Sequence, residues 1–169
     1  MKKLLSLLLC AIPLMTASCG YKMGGMVNGS MQGLKTFDVA MFENHTVYPY
    51  AAVQMTSALA DVMQSDGTFR MVSPTTSDFC ISGKVKSVRN RSLMTNPDDS
   101  YISSEIAVDV YVDYVVTNRK TGEVVKSGEA HGECGYFNTT GNAQSARETA
   151  LSYAVRLAAQ EVLNQLTLP

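Results

Sequence analysis

A two-layer α+β domain is what the sequence predicts: order β-α-β-β-β-α, a four-stranded, mostly antiparallel sheet with two helices on one face. Three observations carry that expectation. Ile102, Ile106, Val108, Val110, Val112, Tyr114 and Val116 share one parity, while Ser103, Glu105, Asp109 and Asp113 share the other. Unbroken alternation of this kind belongs to a strand covered on one side and wet on the other. Asn118-Arg119-Lys120-Thr121-Gly122 then has the composition of a hairpin turn, so the next strand returns antiparallel. Finally, apolar residues recur at helical spacing over 50–65 and 142–166, which supplies two amphipathic helices for the dry face of the sheet.

Each element follows in order along the chain. Lys2 and Lys3 precede an apolar run from Leu4 to Met15, and Thr16-Ala17-Ser18 offers small side chains before Cys19. The run is shorter than the ~20 residues a membrane-spanning helix needs, so it reads as an export signal. Small residues directly before a cysteine point to lipoprotein processing, with residues 1–18 removed and Cys19 acylated as the new N-terminus. Several acyl chains, at ~0.8 kcal/mol per buried methylene, make such an anchor effectively permanent. Residues 19–35 hold five glycines without a period and read as a lipidated flexible tether. Residues 36–169 form a single α+β domain, long enough for a core of its own.

Within that domain, Thr36 to Phe42 reads as the first strand and Glu43 to Thr46 as a turn. Pro49 suits the first turn of a helix. That helix carries Ala52, Val53, Met55, Leu59, Val62 and Met63 as its stripe and stops at Asp66-Gly67. Phe69 to Val72 is a short extended piece. From Asp78, Phe79, Ile81 and Val85 alternate with Ser82, Lys84 and Lys86, and Asn96 to Asp99 is a turn or loop tip. Residues 123–134 form the last strand and Tyr136 to Gly141 a loop. The final helix places Ala146, Ala150, Tyr153, Ala154, Leu157, Ala158, Val162 and Leu166 on its stripe, alanines that permit close approach to the sheet.

Composition excludes some functions. Removing residues 1–18 leaves 12 cations against 15 acids, a formal charge of −3, so no nucleic-acid binding is expected. His45 and His131 are the only histidines. His131-Gly132-Glu133-Cys134 has no second ligand pair near it in sequence, so no metal site is expected. There is no Gly-x-Ser-x-Gly elbow, no phosphate-cradling glycine loop and no His-Glu-x-x-His, so neither an enzyme nor a cofactor is expected. Cys80 and Cys134 remain after export, where disulfides form. A bridge between them is disfavoured by two inter-strand gaps of ~4.8 Å, against the ~7 Å limit between Cα atoms, unless Cys134 lies in a loop that folds back. Lys84, Lys86, Arg89 and Arg91 put four cations in eight residues. They serve either as the solubilising guard of an edge strand or as a site for an anionic ligand.

The ordered set Cys19-Gly20-Tyr21, Phe42-x-Asn44-x-Thr46, Asp78-x-x-Ile81-x-Gly83-x-Val85, the long alternating strand and the alanine-rich final helix resembles the lipopolysaccharide-assembly lipoprotein family (LptE-like), over essentially the whole mature chain. The resemblance implies an outer-membrane lipoprotein, anchored on the periplasmic side. Such a protein partners and plugs a large lipopolysaccharide-translocating β-barrel (LptD-like), assists its assembly and receives lipopolysaccharide. It further implies that Lys84, Lys86, Arg89 and Arg91 meet lipid A phosphates. A second envelope family begins alike: outer-membrane lipoprotein activators of peptidoglycan synthases. Those domains usually have longer tethers, whereas the 16 residues after Cys19 reach only ~20–25 Å as a random coil.

Overall fold

A computed structural model describes residues 29–95, 103–137 and 143–168. The expected signal segment, Cys19, the turn at Asn96 to Asp99 and most of the loop ending at Gly141 lie outside the described residues. The elements are β1 (Thr36–Val39), β2 (Glu43–Asn44), α1 (Ala51–Asp66), β3 (Arg70–Met71), β4 (Phe79–Thr95), β5 (Ser103–Asn118), β6 (Val124–Phe137) and α2 (Ala143–Thr167). The α+β class stands, but among the described residues the sheet has six strands rather than four and is mixed. Its order is β3-β1-β4-β5-β6, with β2 also beside β4. β4, β5 and β6 are the expected antiparallel meander, whereas β1 runs parallel to both β3 and β4, and β2 parallel to β4. Parallel neighbours need a crossover, which α1 supplies between β1 and β3.

The expected first strand, Thr36 to Phe42, ends early at Val39, and the start of the expected turn is a second strand, β2; Phe42 is the reason. Its ring turns into the core at 2 % exposure, and its backbone N–H is taken up by Thr56 Oγ1 at 3.1 Å. A Cβ on Gly83 would stand 2.6 Å from that ring and 2.3 Å from the Asp113 carbonyl, so only glycine admits Phe42 here. The chain then rejoins β4 as β2, pairing Glu43 with Lys84. Asn44 and Thr46 hold the approach to α1. The Asn44 carboxamide oxygen accepts from the Thr46 amide (3.0 Å) and hydroxyl (2.8 Å), and its Nδ2 donates to the Tyr48 carbonyl (2.8 Å). Asp78 ties β1 to β4 by accepting from the Lys35 and Thr36 amides and the Thr36 hydroxyl. The motifs around Phe42, Asn44 and Thr46 and around Asp78 and Gly83 are therefore determinants of this fold, while Cys19-Gly20-Tyr21 lies outside the described residues.

Both helices pack into one core with the sheet. α1 buries Ala51, Ala52, Met55, Leu59, Val62 and Met63 and ends, as its Gly67 predicts, in a left-handed residue with φ 74°. Val53, placed on the stripe by its spacing, is 48 % exposed. Phe37, Phe69 and Phe79 cluster under the first strands, Phe79 at 6.1 Å from one ring and 5.3 Å from the other. Each buried aromatic of this kind contributes about 1.5–3 kcal/mol by removal from water. On α2 the buried ridge is Ala150, Leu151, Ala154, Val155, Ala158, Ala159, Val162, Leu163 and Leu166. Tyr153 and Leu157, expected on that ridge, face outward. α2 lies directly on β6, for a Cβ on Gly132 would stand 2.0 Å from the Ala154 carbonyl oxygen.

Candidate functional site on the polar sheet face

Residue parity along β4 is set by one irregularity. Lys84 pairs with Asp113 and Val85 with Val112, but Ser87, not Lys86, pairs with Tyr111. Lys86 is thus the extra residue of a β-bulge, and the two-residue period restarts one step out of phase after it. Phe79, Ile81 and Val85 face the core before the bulge; beyond it Val88 packs against the core and the odd-numbered residues face outward. Lys84, Lys86, Arg89 and Arg91 therefore all lie on the polar face. Were Lys86 paired rather than bulged, Arg89 and Arg91 would point into the helices.

The topology divides this cluster. Lys84 is flanked by β2 and β5 and guards no edge, whereas Lys86, Arg89 and Arg91 lie beyond the last pairing of β2 with β4, at Asn44 and Val85, where among the described residues only β5 pairs with β4. The four cations do not form a bare basic patch. Lys84 and Lys86 lie 3.5 and 3.6 Å from the Asp113 carboxylate, and Lys86 donates to Glu129 at 3.0 Å. Arg91 donates to Glu133 at 2.8 Å and stands 3.5 Å from Asp109. Arg89 lies 5.5 Å over the Tyr111 ring, which in turn stacks on His131 at 4.6 Å. The Glu129 hydrogen bond and the Asp113 charge raise the Lys86 ammonium above its ordinary pKa. The Glu133 and Asp109 charges do the same for Arg91. The face is a ladder of alternating charge over β4, β5 and β6.

A second polar cluster, which sequence reasoning missed, closes the end of the face where β1 begins. The Arg119 guanidinium grips Asp38 bidentately at 3.2 and 2.7 Å, and Ser77 Oγ donates to the same carboxylate at 2.5 Å. Burial pushes the Asp38 carboxyl up. Hydrogen bonds from Arg119, Ser77 and Cys80 outweigh that and hold it below the ordinary value. A Lys120 ammonium at 2.7 Å, with Thr36 and the Lys35 amide, holds Asp78 far below its usual range. The sequence signal was available only as Arg119-Lys120 in the hairpin turn, acting on acids some 40 and 80 residues away.

Cys80 and Cys134 are both free thiols, so the disulfide is not formed. Their registers explain it. Cys80 pairs with Thr117 and Cys134 with Val108, nine residues apart on β5, roughly 30 Å at the strand rise. Cys134 lies in β6 rather than in a returning loop, and on the core side of the sheet. Burial and the neighbouring Asp38 charge push the Cys80 thiol up, which keeps it protonated and unreactive.

No known protein-family model matches the chain, and no curated protein sequence matches it. Solved structures do match in fold. A candidate lipoprotein of Caulobacter crescentus CB15 superposes with a TM-score of 0.54 at 15% identity, over 79% of this chain and 89% of that one. The PelC dodecamer of Paraburkholderia phytofirmans gives 0.53 at 19% identity, over 85% and 95%. A minor lipoprotein of Acinetobacter baumannii gives 0.52 at 12% identity, over 79% and 91%. The chain therefore has a fold found among bacterial lipoproteins.

Proposed function

We propose that the chain is a non-catalytic envelope lipoprotein, anchored through Cys19 on the periplasmic side of the outer membrane. It partners and plugs the lipopolysaccharide-translocating β-barrel, assisting the barrel's assembly and the delivery of lipopolysaccharide to the outer leaflet. The observation that carries this reading is the self-compensated polar sheet face. Lys84, Lys86, Arg89 and Arg91 stand on one face with Asp109, Asp113, Glu129 and Glu133, four cations to four acids, so their formal charges sum to zero within the domain. Such a face packs against the wall of a lumen without burying an unpaired charge, which would cost several kcal/mol. A bare basic face would not. The lipobox before Cys19 and the short tether support a partner in the same membrane.

Lys84, Lys86, Arg89 and Arg91 remain the residues proposed to meet lipid A phosphates, and the ion-pair ladder ranks them. Among the described residues Arg89 is held by an aromatic ring rather than a carboxylate, so a phosphate gains it without breaking an ion pair seen there. The other three must trade one anion for another. Changing all four to Ser weakens lipopolysaccharide binding, and Arg89→Ser alone accounts for the largest single share. Unchanged binding by a folded quadruple variant contradicts the assignment. A photo-crosslinking residue at Ser87, on the polar face, should capture a large β-barrel in living cells, whereas one at Tyr153, on the outer face of α2, should not. Capture from Tyr153 alone contradicts the plugging orientation.

A further inference from the structure

The polar face brings together three groups that sequence spacing keeps apart. His131 and Glu133 are two residues apart on β6 and project from the same side of the sheet, and Asp109 of β5 pairs directly with Glu133. Their ligand atoms all lie within 4.8 Å of one another. His131 Nε2 is 3.1 Å from Asp109 Oδ1, and the imidazole is fixed in orientation by stacking on Tyr111 at 4.6 Å. Asp109 is 7% exposed while His131 and Glu133 are each 41% exposed, so one buried carboxylate forms the floor and two adjustable groups the walls. Cys134, adjacent in sequence, lies on the opposite side of the sheet and takes no part.

We propose that Asp109, His131 and Glu133 form a solvent-facing site for a divalent metal ion, with Arg91 as the cation that the metal displaces. One imidazole nitrogen and two carboxylate oxygens suit a borderline first-row ion such as Zn²⁺ or Co²⁺. Water completes the coordination on the open side. The formal charges point the same way: once Arg91 is displaced, the two carboxylates carry two negative charges, which a divalent ion neutralises. Arg91, 53% exposed on an unbranched side chain, can swing clear of Glu133 and Asp109. The site is independent of which partner the domain docks to.

Competition by Arg91 gives the proposal a test of opposite signs. The full chain in detergent micelles is titrated with CoCl₂, followed by visible absorption, and with ZnCl₂ by calorimetry. One saturating ion per chain is expected. His131→Ala should weaken binding at least about tenfold, and Glu133→Gln, at an exposed position, should do the same should the first variant fold poorly. Arg91→Ala should tighten binding about fivefold, because it removes a competing positive charge. His45→Ala, the distant histidine, should change nothing. Absence of saturable binding up to about 1 mM, loss of binding with His45→Ala instead of His131→Ala, or weakening by Arg91→Ala each overturns the site.

Discussion

Asp38 lies beneath the Arg119 guanidinium with its side chain 4% exposed, whereas Arg119 is 41% exposed. That asymmetry decides what each truncation leaves behind. Arg119→Ala strands a buried carboxylate and should cost about 2–3 kcal/mol in urea unfolding. Asp38→Asn leaves a guanidinium that water still reaches and should cost less; equal costs would mean that the pair acts through packing alone. The same residues set a pH dependence. Asp38 and Asp78 titrate in the folded chain below their ordinary 3.8. Below that value the unfolded chain takes up protons that the folded chain refuses. Their contribution is thus complete at neutral pH and is lost as pH falls through about 4 toward their folded values. Stability measured from pH 6 to pH 2 should decline over that window, and Asp78→Asn should flatten the decline. A curve unchanged by Asp78→Asn contradicts the assignment.

At the scale of elements, Gly132 carries the most. Gly132 is where α2 touches β6, and a methyl group there meets helix backbone at 2.0 and 2.5 Å, which cannot yield. Gly132→Ala should therefore destabilise by about 3 kcal/mol. Gly135→Ala, whose Cβ meets only the Glu105 side chain at 3.4 Å and Leu93 at 3.8 Å, should be near neutral in the same melting experiment. Deleting Lys86 would remove the bulge yet leave Val85 and Val88 inward and Ser87, Arg89 and Arg91 outward in their present register, so the deleted chain should still fold. These elements also show where the sequence speaks. β5 was legible because nearly every residue obeys one period, and Gly67 because a left-handed cap demands glycine. β3 was legible as a short extended piece between Phe69 and Val72, but β2 was not, since its two residues hold no period. The rotation of the α2 stripe toward Leu151, Val155, Ala159 and Leu163 was hidden because those apolar positions compete with Tyr153 and Leu157 on spacing alone. The ladder was half legible: the cations stood out as a run, but their acids come from β5 and β6, and the bulge that aligns them leaves no mark in composition.

The whole molecule couples a polar, charge-balanced sheet face to an opposite layer of helices that seals the core. The proposed anchor at Cys19 confines that domain to within a short reach of one membrane. Cys19→Ser should move the protein from the membrane fraction to the soluble periplasmic fraction; retention in the membrane would contradict anchoring through that residue. The fold, shared with lipoproteins at 12 and 15% identity, leaves the partner to be decided by the surface and the tether. The most direct measurement is affinity purification of the lipidated chain from detergent-solubilised membranes. The large β-barrel that carries lipopolysaccharide should be recovered with it in stoichiometric amount. Recovery of a penicillin-binding protein instead would contradict the account and assign the domain to peptidoglycan synthesis.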